Sequence, residues 1–376
     1  MNKLSNNLLN KKRNQPNDID KIQSSTSTNN ESPIISDNDD NNYSFNNDSI
    51  CFMKNPNLKF NLSIANTNDN YGYSNLFEIL YFDKDKIYYI VSPNNKTFNL
   101  DIIQLENNKI IKNLKGHLNH ITTVRNFNEY LLSADVNKIV IIWKINDIEN
   151  DIKKYKIKLK YNNWIYSCYF LKNNRYLFTS CCGVGYTQMY YFNPNKENNK
   201  HFKFCKNYYI TKKNCTFYII LWKNQRNSKN YIIECCKSKI VIFDINENIL
   251  YAKFLPFNSK NSFYMSGLIF KDYLYANTMS GYINVWNLYN KNLIESFYIN
   301  NCFLNYFLLW NNYYFIIIDS KNNMLKIFDI NNKKVVSSIY SEHSNVYFAK
   351  KIRHPIYGES LISCGQDNYI KLFSVI

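Results

Sequence analysis

Five histidines (His117, His120, His201, His343 and His354) and ten cysteines are the side chains of this 376-residue chain best suited to bind a metal or to act as base and nucleophile. A structural zinc site takes paired Cys or His ligands, with a second pair a loop away. No C-x-x-C pair with a second such pair downstream occurs here, and the histidines do not stand at ligand spacing beside the cysteines. The P-loop, the G-x-S-x-G elbow and the H-E-x-x-H helix are also missing from the sequence. The expectation is therefore a protein with no catalytic residues, no metal, no cofactor and no small-molecule substrate, whose His and Cys serve the fold.

The elements that would position those side chains can be read from the texture of the chain. Residues 1–56 are rich in Asn, Ser, Asp and Lys, as in QSSTSTNNESP and SDNDDNNYSFNND, and lack apolar periodicity. Such a stretch cannot bury enough surface to offset its ordering entropy, so it is expected to be a disordered tail, with 57–376 forming the folded domain. From about residue 58 the chain turns into short apolar or alternating runs of 4 to 8 residues, separated by Asn, Lys and Asp clusters, with no helical stripe. The reading is all-β. No apolar run approaches the roughly 18–20 residues of a spanning helix, and no signal-peptide core is visible near the start.

The runs repeat. VIIWKI, MYYFNP, IVIFDI, INVWNL, LKIFDI and IKLFSV place an aromatic at 143, 192, 243, 286, 328 and 373, and NLDIIQL puts Ile103 in the equivalent place. The intervals are 40, 49, 51, 43, 42 and 45 residues. An Asn or Asp turn and a further short run follow most markers, and apolar strands precede them, so each period holds four strands. Together the period and the strand-ending aromatics resemble WD40 repeats, over residues 58–376, and that resemblance implies a seven-bladed β-propeller. The chain stops just after its seventh marker, so the alternating NLKFNLSI of 57–64 is expected to supply the missing outer strand and close the ring.

The resemblance also implies a structural hydrogen-bond chain in each blade: an Asp holds a His, the His holds a Ser or Thr hydroxyl, and a Trp N–H donates to that hydroxyl. In the segment GHLNHITTVRNFNEYLLSADVNKIVIIW, His117, Ser133 and Trp143 fit, and counting six back from the Trp gives Asn137 for the acid position. In the last repeat His343, Ser363 and Asp367 fit, with Phe373 where a Trp would stand. Cys181–Cys182, Cys235–Cys236 and Cys364 fall near the ends of second strands and read as small packing residues.

What the resemblance implies about function is a rigid platform for other proteins, a scaffold or adaptor in a larger complex of the eukaryotic cytoplasm or nucleus. Charge offers an alternative. The formal net charge is +17, and residues 1–60 carry seven basic and seven acidic side chains, so the excess lies beyond them. Abundant Asn, Lys and Ile also follow from AT-rich coding, yet a basic body can attract RNA or an RNP. The cluster Lys350, Lys351, Arg353 and His354, expected in the turn between the first two strands of the last repeat, is the candidate RNA contact.

Overall fold

The computed structural model describes residues 56–65, 77–82, 87–94, 96–127, 129–146, 148, 151–161, 163–171, 175–181, 183, 185–196, 200–210, 215–256, 263–299, 302–367 and 369–375. The tail expected over 1–56 falls, but for Pro56, outside them. The described residues form no helix, only strands and turns.

Seven four-stranded antiparallel sheets follow one another as the blades of a propeller. Blade 1 runs from Glu78–Phe82 to Lys109–Leu114, blade 2 from Ile121–Phe127 to Lys153–Lys158, and blade 3 from Ile165–Leu171 to Phe202–Tyr209. Blade 4 runs from Thr216–Lys223 to Leu250–Phe254, blade 5 from Tyr264–Phe270 to Leu293–Tyr298, and blade 6 from Leu304–Leu309 to Lys334–Tyr340. All six place their strands in sequence order, the first strand innermost. Blade 7 takes Val346–His354, Gly358–Gly365 and Tyr369–Val375 from the end of the chain, and its outermost strand, Leu58–Ala65, from the beginning. The ring closes as the alternation in 57–64 predicts, in the register Leu58↔Val375, Lys59↔Ser374 and Phe60↔Phe373.

The burial pattern explains why the strand runs look as they do. A blade is covered on both faces by its neighbours, so second and third strands are buried on both sides and read as continuous apolar runs. The third strand of blade 2, IVIIWK, is buried from Ile139 to Trp143, whereas the fourth strand KKYKIK is mostly exposed. Every marker, from Ile103 to Phe373, lies in the third strand of its blade. The core is divided accordingly, one cluster joining blades 1 and 2 around Trp143, another joining blades 2 and 3 around Phe170 and Phe192.

The Asn and Asp residues after the markers also have a defined task. Asp244, Asn287 and Asp329 each accept, through Oδ1, from two backbone N–H groups ahead, at 2.8–3.1 Å. These side chains nucleate the turn into the fourth strand. With glycine scarce, Asn108, Asn248, Lys291 and Lys333 take the left-handed conformation that finishes these turns, at φ of 56–62°, each at a cost of about 1 kcal/mol.

Because each blade is an up-and-down meander, its connections sort onto two faces. The links between blades and the turns from second to third strand share one, called here the entry face. The turns from first to second and from third to fourth strand share the other, the exit face.

Candidate functional site

In blade 2 three side chains form a Ser–His–Asp array of the kind that activates a nucleophile. His117 Nδ1 lies 2.8 Å from Asp135 Oδ2, and its Nε2 lies 2.7 Å from Ser133 Oγ. The network fixes the tautomer: Nδ1–H donates to the carboxylate, and Nε2 accepts from the hydroxyl. Trp143 Nε1–H then donates to Ser133 Oγ at 2.8 Å. Ser133 and Asp135 are fully buried and His117 nearly so, so the hydroxyl meets no substrate and the array ties the incoming chain to the second and third strands. Gly116 is needed ahead of it: a Cβ there would sit 2.8 Å from Ile141 Cδ1 and 3.0 Å from Trp143 Cη2.

Asn137 is not the acid position. It is exposed and accepts from Asn119 Nδ2 at 3.2 Å. The carboxylate comes from Asp135, the last residue of the second strand Tyr130–Asp135, and its Oδ1 also accepts from Ile139 N at 3.0 Å. In blade 7 the acid sits farther along, in the turn beyond Gly365, so the count of six holds there and fails in blade 2. His343 Nδ1 is 2.7 Å from Asp367 Oδ1 and its Nε2 2.9 Å from Ser363 Oγ. Phe373 fills the Trp position without an N–H, and Lys371 Nζ supplies a second partner to Asp367 at 2.7 Å. Burial opposes ionisation of Asp367, but hydrogen bonds from His343 and Lys371 outweigh it and hold the carboxyl down at about 2. Burial likewise lowers His343, against the pull of Asp367, so the ring is neutral at pH 7.

Other blades replace the His chain. Tyr161 bonds to the Thr179 carbonyl and accepts from Gln188 N at 3.1 Å in blade 3. Tyr264 accepts from Asn284 Nδ2 at 2.8 Å in blade 5.

Three polar groups of the interior escaped sequence reasoning. Arg125, on the innermost strand of blade 2, donates from Nη1 to the carbonyls of Cys168 at 3.2 Å and Ile219 at 3.0 Å, spanning to blade 4, with the rings of Tyr169 and Tyr218 about it. Glu78 of blade 1 accepts from Asn126 N at 2.9 Å and pairs with Lys350 of blade 7. Glu234, in the second strand Asn230–Cys236, is fully buried, and Thr216 Oγ1 donates to its Oε2 at 2.9 Å. Burial outweighs the hydrogen bonds of Thr187 and Thr216 and pushes its carboxyl up to about 7. The one signal for these was a charged letter inside an apolar run, ITTVRNF or YIIECC.

The sign of the Glu234 effect follows from its raised value. The folded state keeps the proton up to about pH 7, the unfolded chain only to about 4.5. Ionisation thus costs the fold nothing below 4.5, erodes it between 4.5 and 7, and reaches its full cost above. A Glu234→Gln chain is expected to gain up to about 3 kcal/mol relative to the parent at pH 8, and nothing at pH 4.5. Urea unfolding of both proteins across that range checks it; parallel profiles would contradict it.

The basic cluster is not a solvated turn. Lys350, Lys351, Arg353 and His354 lie on the first strand Val346–His354 itself. Lys350 is bound to Glu78, Lys351 and His354 are buried, and Arg353 alone is exposed. That arrangement closes the ring between blades 7 and 1; Phe77 and Phe348 meet edge-on beside it, centroids 5.3 Å apart.

Cys181, Cys235, Cys236 and Cys364 are buried at the ends of second strands, with the thiols of the last three pushed up by burial; Cys182 lies outside the described residues. Among the described residues no group of three His, Cys, Asp or Glu is placed to hold a metal. The described residues hold no helix long and apolar enough to cross a membrane. Comparison with protein-family models and with curated proteins finds no match.

Proposed function

We propose that the chain is a divergent WD40-type propeller that works as a non-catalytic scaffold or adaptor, holding other proteins within a larger complex of the cytoplasm or nucleus. The observation that carries this reading is the fate of its reactive side chains. The blade 2 array is sealed inside its blade, with Ser133 accepting from Trp143, and in blade 7 Ser363 and His343 are buried while the half-buried Asp367 is tied to Lys371. Chemistry is spent on rigidity, and what faces solvent is two rings of short turns on a stiff support. Loops on such a scaffold present contacts whose ordering cost is already met. Free, buried cysteines fit a reducing compartment.

Mild affinity purification of the full chain from its own cells tests the proposal. Stoichiometric protein partners that survive nuclease treatment are the expected result. Recovery of the chain alone would overturn it, and partners lost on RNase treatment would favour the RNA reading instead.

A further inference from the structure

The entry face exposes lysines and, among the described residues, almost no acid. On the entry face, Lys96, Lys115, Lys160, Lys237 and Lys321 are exposed in the connections. Among the described residues the one acid exposed there is Glu342, since the half-buried Asp367 is held by His343 and Lys371. The exit face exposes more bases, Lys109, Lys196, Arg226 and Lys334 among them, but sets the exposed acids Glu106, Asp151 and Glu247 beside them.

Apolar side chains accompany those lysines. Leu118, Trp164 and Leu255 protrude from three of the links between blades, at 70%, 45% and 58% exposure. At the same end of the blades, Tyr166, Phe217 and Phe263 form a continuous run of half-buried rings across blades 3, 4 and 5, with centroids 5.7 and 5.9 Å apart. Lys237 Nζ stands 5.1 Å over the Phe263 ring. The rings sit where the first strands of blades 3, 4 and 5 begin, at the entry-face end. First strands of six blades carry a register shift at this point, as between Ile165 and Ser167 or Thr216 and Tyr218; in blades 3 and 4 the residues skipped are Tyr166 and Phe217.

We propose that the entry face docks an acidic peptide segment carrying apolar or aromatic side chains. This rests on the scaffold function above and names the chemistry of its partner. Apolar anchors supply affinity, while surrounding lysines speed encounter and reject basic segments. RNA fits the same face less well. Guanidinium groups are the preferred partners of phosphate and of base edges, and the described arginines lie elsewhere. Arg125 is inside the ring, and Arg175, Arg226 and Arg353 belong to the exit face.

Fluorescence anisotropy with the full chain tests this, using a labelled Glu/Tyr copolymer, labelled polyglutamate and labelled oligo(U) of matched length. The copolymer is expected to bind more tightly than either of the others. Lys115→Glu, Lys160→Glu and Lys237→Glu together are expected to weaken it about tenfold or more. The exit-face set Lys109→Glu, Lys196→Glu and Lys334→Glu is expected to change it less than about twofold. Leu118→Ala with Trp164→Ala, a pair that leaves every charge in place, is expected to cost about fivefold or more and carries the test should the triple variant fail to fold. Equal or tighter binding of oligo(U), displacement of the copolymer by self-association, or indifference to both entry-face variants would overturn the proposal. If the entry-face variants still recover the same partners from cells, the docking surface is refuted and the scaffold reading stands. If the parent chain recovers none, the scaffold reading is the one that fails.

Discussion

Deleting residues 57–66 from the full chain is expected to abolish its cooperative melt and drive it into aggregates. The deletion removes Leu58–Ala65, whose ladder with Tyr369–Val375 joins the first and last parts of the chain into one blade. It strips Leu58 from the core and Phe60 from its edge contact with Phe373, at 5.7 Å between centroids. The third strand of blade 7 then becomes a bare edge, Tyr369 to Val375, with unpaired N–H and C=O groups and a β-branched, aromatic sequence, the kind of edge that recruits other chains. Circular dichroism on heating and size exclusion read the outcome together. A sharp melt at the parent temperature with a monomeric elution would mean the ring closes in some other way.

The second large effect is expected at Asp135. Its carboxylate is the acceptor for two buried donors, His117 Nδ1–H and Ile139 N–H. Asp135→Ala leaves both unmet, at about 1–3 kcal/mol each, so the variant should lose about 2–5 kcal/mol in urea unfolding. Asn137→Ala, two residues away but exposed, should stay within about 0.5 kcal/mol of the parent, and Asn137→Asp should bring no larger gain. Equal losses at 135 and 137 would show that the acid of blade 2 had been misassigned.

That contrast marks where sequence reasoning reaches and where it stops. The aromatic or apolar letters at 103, 143, 192, 243, 286, 328 and 373 located every third strand, because a residue sandwiched between two neighbouring sheets has few alternatives. NLKFNLSI gave away the closing strand for a similar reason: a half-buried edge strand must alternate. Asn137 was misread because counting residues back from Trp143 assumes a fixed turn, whereas the carboxylate only has to reach His117 and can do so from the strand end.

The cluster at 350–354 was misread for a different reason. Lys350 and Lys351 look like a solvated turn until Glu78, 272 residues away in sequence, is brought beside Lys350 by ring closure. No local pattern contains that partner. The gathering of lysines on the entry face was equally hidden, since Lys115, Lys160 and Lys237 are tens of residues apart and share a face only because each follows or interrupts strands at the same end of its blade.

Ring closure underlies all of these placements, and one cross-link tests it most directly. Lys59 and Ser374 face each other across the seam. A chain carrying Lys59→Cys and Ser374→Cys, with Cys51→Ser and Cys205→Ser to remove competing thiols, should form a disulfide between 59 and 374 under mild oxidation, shown by peptide mapping of the native protein. A matched chain with Lys59→Cys and Lys371→Cys, out of register, should form little or none. A disulfide at 59–371 in preference to 59–374, or none at 59–374, would contradict the closed seven-bladed ring.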